Sequence, residues 1–296
     1  MQILESYNEY KDMIREFREK NGRPFSNVYY VPEDIERYIR LGRAGFERTE
    51  SGIIFYFDEE KYYRVCLYVN EKERFSIEKR DKKILLKNVF QEGKKRENLL
   101  CVEQRLEELG FKKAGTSFKI RGEVKKLFQR CERMKKFADV LEKKGFHCVA
   151  AEFSMLEEIE ALILDSGVIK DYQLNYWTDE EKKRMIKEGS YLCMVNDKKQ
   201  ICAVGGCIIK NNTTKGVAVA VREEYKMHGL IVALAYHRLK WLYDNGFESC
   251  QGWILTSNEP SIRYYQSLGY EFLNEYTDEW ILEADKGYMD EKVGNI

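Results

Sequence analysis

A mixed α/β protein of two domains is the fold class this sequence predicts, on three observations. Strand-like and helical apolar periods alternate regularly through the second half. Within that half a strand of small residues, Gly216 to Val221, runs through a turn into a long apolar helix starting at Gly229. Two segments of the first half repeat local patterns of the second.

Length and composition bound the reading. A chain of 296 residues accommodates two domains of ordinary size, and 44% apolar residues can supply a core to each. Lysine plus arginine equal aspartate plus glutamate at 50 each, which argues against nucleic acid or a membrane surface as partner. No apolar run reaches bilayer-spanning length. Met1 to Glu5 lacks the basic start and apolar stretch of a signal peptide, so a cytoplasmic location is expected. Eight cysteines include no pair at the two-residue spacing of a zinc or redox motif, and His147 and His237 have no spaced ligand partners. The expectation is no metal and reduced, mostly buried thiols.

The elements follow in order. Glu123 to Lys144 carries apolar residues at three- and four-residue steps and ends at Gly145, which predicts a connector helix. The expected division is 1–121, a connector at 122–146, and 147–296. His147–Phe153 reads as a strand. Ser154 with Glu157, and Thr178 with Glu181, have the spacing of capping boxes, opening helices that end near Leu164 and Gly189. Strands are expected at Tyr191–Val195 and Ile201–Ile209 around a polar turn, and at Gly216–Val221. An apolar helix from Gly229 stops before Gly246. A strand at Ser249–Leu255, a helix at Glu259–Leu268 and strands at Tyr270–Asn274 and Glu279–Leu282 close the set.

In the first half, Ile53–Phe57, a polar turn and Tyr62–Val69 echo Tyr191 to Ile209. Leu106 to Phe111 echoes Tyr265 to Tyr270. The offsets differ by about the length of one helix and its entry loop. The first half therefore reads as a truncated copy that lacks a counterpart of Glu224 to Asp244. Lys94-Lys95-Arg96 reads as a solvated helix start.

A helix opening at Gly229 offers unpaired N–H groups and a positive dipole end to an anion. Gly229 has no Cβ to keep a phosphate away. Ala218 and Ala220 leave room beside the strand for a narrow ligand chain. Lys226-Met227-His228-Gly229-Leu230-Ile231 resembles the coenzyme motif Arg/Gln-x-x-Gly-x-Gly/Ala of the GNAT superfamily. It departs at Lys226, which lacks the arginine fork, and at Ile231, whose branched side chain replaces a small one. Asn258 to Tyr270 resembles the family's Asn-x-x-Ala/Ser-x-x-x-Tyr-x-x-x-Gly-Phe/Tyr segment at every marked position, through Asn258, Ser261, Tyr265, Gly269 and Tyr270. The resemblance spans about His147 to Leu282. It implies a GNAT-like mixed central sheet flanked by helices, with a smaller degenerate GNAT-like domain before it.

The resemblance also implies acetyl-CoA, or another acyl-CoA, as co-substrate. Its pyrophosphate would meet the backbone from Met227 through Ile231, and its pantetheine arm would pair with Val219 and Val221. Asn258 would bind that arm or order the loop, with Ser261 beside it. Tyr265 would protonate the departing thiolate. Reference values for a phenol and a thiol make that transfer uphill by about 2 kcal/mol, so a contribution of about 10²-fold is expected. The implied acceptor is a small-molecule or peptide amine. Other residues carry plainer readings. His228 touches phosphate or is simply exposed, His237 and Tyr264 are packing residues, and Trp241 and Trp253 pack sheet against helix. Tyr172, Tyr176 and Trp177 either line the acceptor groove or pack a loop. No carboxylate lies on Gly216–Val221, and Glu223 and Glu224 read as solvated, so the base stays unnamed. Two alternatives stand beside the N-acyltransferase: a non-catalytic acyl-CoA sensor or interaction protein, and an aminoacyl-tRNA-dependent transferase, which the neutral charge disfavours.

Overall fold

The computed structural model describes residues 1–27, 32–70, 75–91, 97–168, 177, 179–210 and 213–285. Packing divides the chain into two compact units, Met1–Ser117 with the stretch from Asn274 onward, and Phe118–Leu273.

The first unit contains β1 (Gln2–Ile3), α1 (Tyr7–Asn21), β2 (Phe25–Ser26), α2 (Pro32–Arg40), β3 (Ala44–Thr49), β4 (Gly52–Asp58), β5 (Tyr62–Val69), β6 (Lys83–Gln91), α3 (Glu97–Glu108) and the start of β7 (Lys112–Glu123). Its sheet runs β1-β3-β4-β5-β6 and is completed by the last strand of the chain, β14 (Glu271–Leu282), followed by β7. The unbroken apolar run of β4 is explained by burial on both faces. Ile54 and Tyr56 pack with Val102 and Leu106 of α3, while Ile53, Phe55 and Phe57 pack with Tyr10, Met13, Ile35 and Tyr38 of α1 and α2.

The second unit holds the rest of β7, then α4 (Val124–Cys131), α5 (Lys135–Lys143), β8 (Phe146–Ala150), α6 (Leu156–Asp165), α7 (Asp179–Glu188), β9 (Tyr191–Asn196), β10 (Ile201–Lys210), β11 (Thr213–Gly216), β12 (Ala220–Val221), α8 (Leu230–Asp244), β13 (Ser249–Leu255) and α9 (Glu259–Leu268). Its order is β7-β13-β11-β10-β9-β8, with β12 also on β10. Ile159, Leu162 and Ile163 of α6 and Met185 and Ile186 of α7 fill one face against Tyr191, Cys193, Val204 and Val217. Helix α8 packs on β9 and β10 and is covered by α4 and α5. Phe128 stacks on Tyr243 at 4.8 Å.

Several expected boundaries move. The connector is two helices joined by a tight turn at Glu132–Met134, and it packs within the second unit rather than between domains. The first strand of the 147–153 segment ends at Ala150. Glu152 caps a turn at Phe153–Met155, which leaves Ser154 inside that turn instead of capping α6. Thr178 and the 94–96 basic run lie outside the described residues. The two closing strands are one, β14, because Thr277 and Asp278 sit in the ladder opposite Val89 and Asn88 and are buried. Thr116 Oγ1 donates to Asp278 Oδ1 at 2.5 Å, so a polar pair that resembles a turn in sequence is held in a strand.

The internal echo has a geometric counterpart. The β4–β5 turn opens on Asp58, whose Oδ1 accepts Glu60 N–H at 2.8 Å. The β9–β10 turn opens on Asn196, whose Oδ1 accepts Lys198 N–H at 3.0 Å. After α3, Phe111 N–H donates to Leu106 O with Gly110 at φ 85°. After α9, Tyr270 N–H donates to Tyr265 O with Gly269 at φ 89°. A left-handed glycine ends both helices in the same way. Strands β5 and β6 pair in parallel, as β11 and β13 do, yet residues 75–82 between β5 and β6 form no helix.

Candidate active site

The strand expected over Gly216–Val221 is interrupted, and the interruption shapes the candidate site. Gly216 faces Cys207, and Val217 N–H still donates to Gly206 O at 3.0 Å. Beyond it Ala220 faces Val204 and Val221 faces Ala203, so the register has slipped by one residue. The extra residue is a bulge at Ala218–Val219. Pairing of β11 with β13 ends at Lys215↔Gln251, and among the described residues β12 pairs with β10 alone. Arg222 N–H donates to Cys202 O at 2.9 Å. By antiparallel alternation the backbone groups of Val219 and Val221 therefore point away from β10, toward the gap where β13 has departed.

The chain then enters a one-turn helix at Glu223–Tyr225. Tyr225 anchors it, its hydroxyl 3.1 Å from Asn196 Nδ2 and its ring edge-on to Phe146. Met227 (φ 69°) and Gly229 (φ 80°) flank His228 with left-handed backbone, an alternation that gathers successive N–H groups into an anion-binding concavity. Gly229 is the N-cap of α8 and no side chain caps it. Among the described residues the N–H groups of Met227, Gly229, Leu230 and Ile231 have no acceptor, and a β-carbon on Gly229 would meet nothing within 4 Å. An open mouth lined by unpaired donors at a helix N-terminus suits a phosphate.

The expected site residues divide into those free to act and those engaged. Lys226 Nζ is ion-paired with Glu223. His228 is exposed, with Nδ1 3.2 Å from Lys226 O. Leu230 is buried, whereas Ile231 is half-buried and its carbonyl accepts Tyr264 Oη at 3.4 Å. That bond draws α9 onto the first turn of α8. Asn258 caps α9, its Oδ1 accepting Ser261 N–H at 3.2 Å, so it orders the loop. Tyr265 is half-buried, packed edge-on between Tyr264 and Tyr270, and its hydroxyl has no partner among the described residues. His237 and Tyr264 are packing residues, and burial lowers the pKa of the His237 ring. Trp241 stacks on Phe247. Trp177 packs against the α6–α7 core, while Tyr172 and Tyr176 lie outside the described residues.

Sequence reasoning missed two residues. Tyr225 was unremarkable until its hydroxyl met a turn 29 positions away. Arg238 lies in the apolar face of α8 with its side chain buried, and Tyr265, Tyr270, Cys207 and Tyr264 surround it electrostatically. An arginine at a core period of an apolar helix was the available signal. Two carboxylates are engaged: Glu158 accepts from Arg222 and from Ile201 N–H, and Glu160 pairs with Lys182. Among the described residues no cluster could hold a metal ion, and no helix is long and apolar enough to cross a membrane. All eight cysteines are free, and Cys101 is exposed.

Residues 156–270 match the model of the acetyltransferase (GNAT) family. No curated protein matches the chain in sequence. Among solved structures, a tandem GNAT protein from the clavulanic acid biosynthesis pathway aligns at TM-score 0.52 and 12% identity, over 96% of this chain and 98% of that one. A GCN5-related N-acetyltransferase from Sphaerobacter thermophilus aligns at 0.52 and 10%, over 95% and 94%. A Drosophila protein aligns at 0.53 and 12%, over 96% and 98%. These likenesses show the fold, and they extend it over nearly the whole chain.

Proposed function

We propose that this chain, which carries a GNAT acetyltransferase domain over residues 156–270, transfers an acetyl or other acyl group from acyl-CoA to a primary amine by direct attack. The coenzyme supplies an activated thioester. The observation that carries the reading is the open mouth of α8, whose unpaired N–H groups adjoin the freed strand edge at the bulge. The residues present fit the coenzyme: Met227, Gly229, Leu230 and Ile231 would hold its diphosphate through backbone N–H groups. The groups of Val219 and Val221 would hold its arm. A backbone N–H of that edge would also polarise the thioester carbonyl. Lys226 and His228 would stand at the rim of the phosphate site, and Asn258 and Ser261 fix the entry of α9.

Tyr265 would give its proton to the sulfur as the C–S bond breaks, because its hydroxyl is uncommitted and half-sheltered. Glu158 and Glu160 are engaged in ion pairs; an amine that arrives neutral would attack without a protein base, and the proton its nitrogen sheds as the amide forms would pass, through water, to the Tyr265 phenolate. We propose 1–121, 122–146 and 147–296 as a truncated GNAT-like domain, a connector and the acyl-CoA-binding domain. The acceptor would be a small-molecule or peptide amine, and the setting cytoplasmic.

Calorimetry with CoA and a thiol-release assay over an amine panel test the reading. Tyr265→Phe is expected to lower kcat by about 10²-fold while leaving CoA affinity within a few-fold. Unaltered kcat would remove Tyr265 from the acid role, and absence of CoA binding would end the reading.

A further inference from the structure

Helix α8 is apolar along its buried side except at Arg238, which is 9% exposed. Among the described residues none of its nitrogens has a hydrogen-bond or ion-pair partner, and Nε is sealed from solvent. The guanidinium occupies space that two glycines leave. A β-carbon on Gly205 would lie 3.5 Å from Nη1, and one on Gly216 would lie 3.8 Å from Nη2. Both glycines mark the edge of the gap. The β-carbon of Gly205 would also lie 3.2 Å from Val219 Cγ2, in the bulge, and Gly216 follows the last residue of β11 that pairs with β13. Arg238 thus points its planar fork at the place where the strands part, beside Tyr265.

Among the described residues no carboxylate forms an ion pair with it. The groups that act on it most strongly are the phenols of Tyr265, Tyr270 and Tyr264 and the thiol of Cys207, with those of Cys250 and Cys131 in range. Burial pushes the Cys207 and Cys131 thiols up to about 11, so at neutral pH they carry no charge. Arginine remains charged in proteins, and a buried unpaired charge destabilises the fold. Leucine or methionine would fill this position of α8 at no such cost. A planar guanidinium held in this way matches a carboxylate, which it grips through two parallel N–H donors.

We propose that Arg238 anchors a carboxylate carried by a substrate, either at the far end of the acyl group or on an amino-acid acceptor. The inference rests on the coenzyme reading, since the fork lies on the sulfur side of the proposed site, next to Tyr265. It makes the protein selective for an anionic substrate at the reacting end, independently of the coenzyme's phosphates.

Calorimetry on the full chain decides it in two arms. The donor arm compares succinyl-CoA with butyryl-CoA. The acceptor arm, at saturating CoA, compares N-acetylglycine, N-acetylmethionine and N-acetylphenylalanine with their amides. In one arm the carboxylate form is expected to bind at least tenfold tighter. Arg238→Met should abolish that preference, Arg238→Lys should keep part of it, and CoA itself should bind each variant within threefold of the parent. The ligand-free Arg238→Met protein should also melt at a higher temperature, because an unpaired buried charge has been removed, whereas a structural arginine would give a lower one. Equal affinities in both arms, or a lower melting temperature for Arg238→Met, would overturn the inference while leaving the coenzyme reading intact. Failure of CoA itself to bind would overturn both.

Discussion

Gly229 leaves the mouth of α8 open. Its φ of 80° lies where side chains are strained, and its Cβ position is open space. Gly229→Val is therefore expected to weaken CoA binding by more than tenfold through both effects. Asparagine tolerates left-handed backbone, so Gly229→Asn separates the two. Calorimetry should show the loss for both variants, with an unchanged circular dichroism spectrum for the asparagine form. His237 offers a second reading at this scale. Burial lowers its pKa from 6.5, so the folded state prefers the neutral ring and the unfolded chain binds more protons on acidification. Stability should rise with pH through the window just below 6.5 and level off above it. His237→Phe should flatten that slope in urea titrations, and an unchanged slope would show that other groups cause it.

At the scale of elements, the proposed site depends on two joints that fix α8 and α9. Tyr264 Oη on Ile231 O joins the helices, and Asn258 starts α9 at the right residue. Replacing an N-cap asparagine typically costs about 1 kcal/mol. Asn258→Ala is expected to lose about that much in denaturant unfolding, while Asn258→Asp retains most of it by keeping the acceptor oxygen. If CoA affinity falls in both variants alike, the amide Nδ2 contacts the coenzyme as well. The bounds of α8 and α9 and the Asn258–Tyr265 spacing were legible in sequence because caps and periods are local. The bulge was not, since Gly216–Val221 reads as one strand and only the registers of β10 with β11 and β12 reveal the slip. The single strand β14 was missed for a related reason. Thr277 and Asp278 look like a turn until Val89 and Asn88 pair with them.

At the scale of the whole molecule, each unit depends on chain from beyond its apparent sequence limits. The first unit contains the stretch of β14 from Asn274, and the second contains α4 and α5, which cover α8. A fragment of residues 147–296 would lack those two helices and expose apolar surface of α8. It is expected to aggregate or melt well below the full chain in thermal unfolding. A fragment as stable as the parent would mean that this cover contributes little.

By itself the sequence determined the alternation of elements, the glycine-led helix, the Asn258–Tyr265 motif and the echo between halves, because each is written in residues near one another along the chain. Tertiary structure alone decided which strand the last segment joins, where the strand edge opens, and that Arg238 has no partner among the described residues. Those depend on register and burial, which are set by contacts between residues far apart in sequence, and no local pattern encodes them.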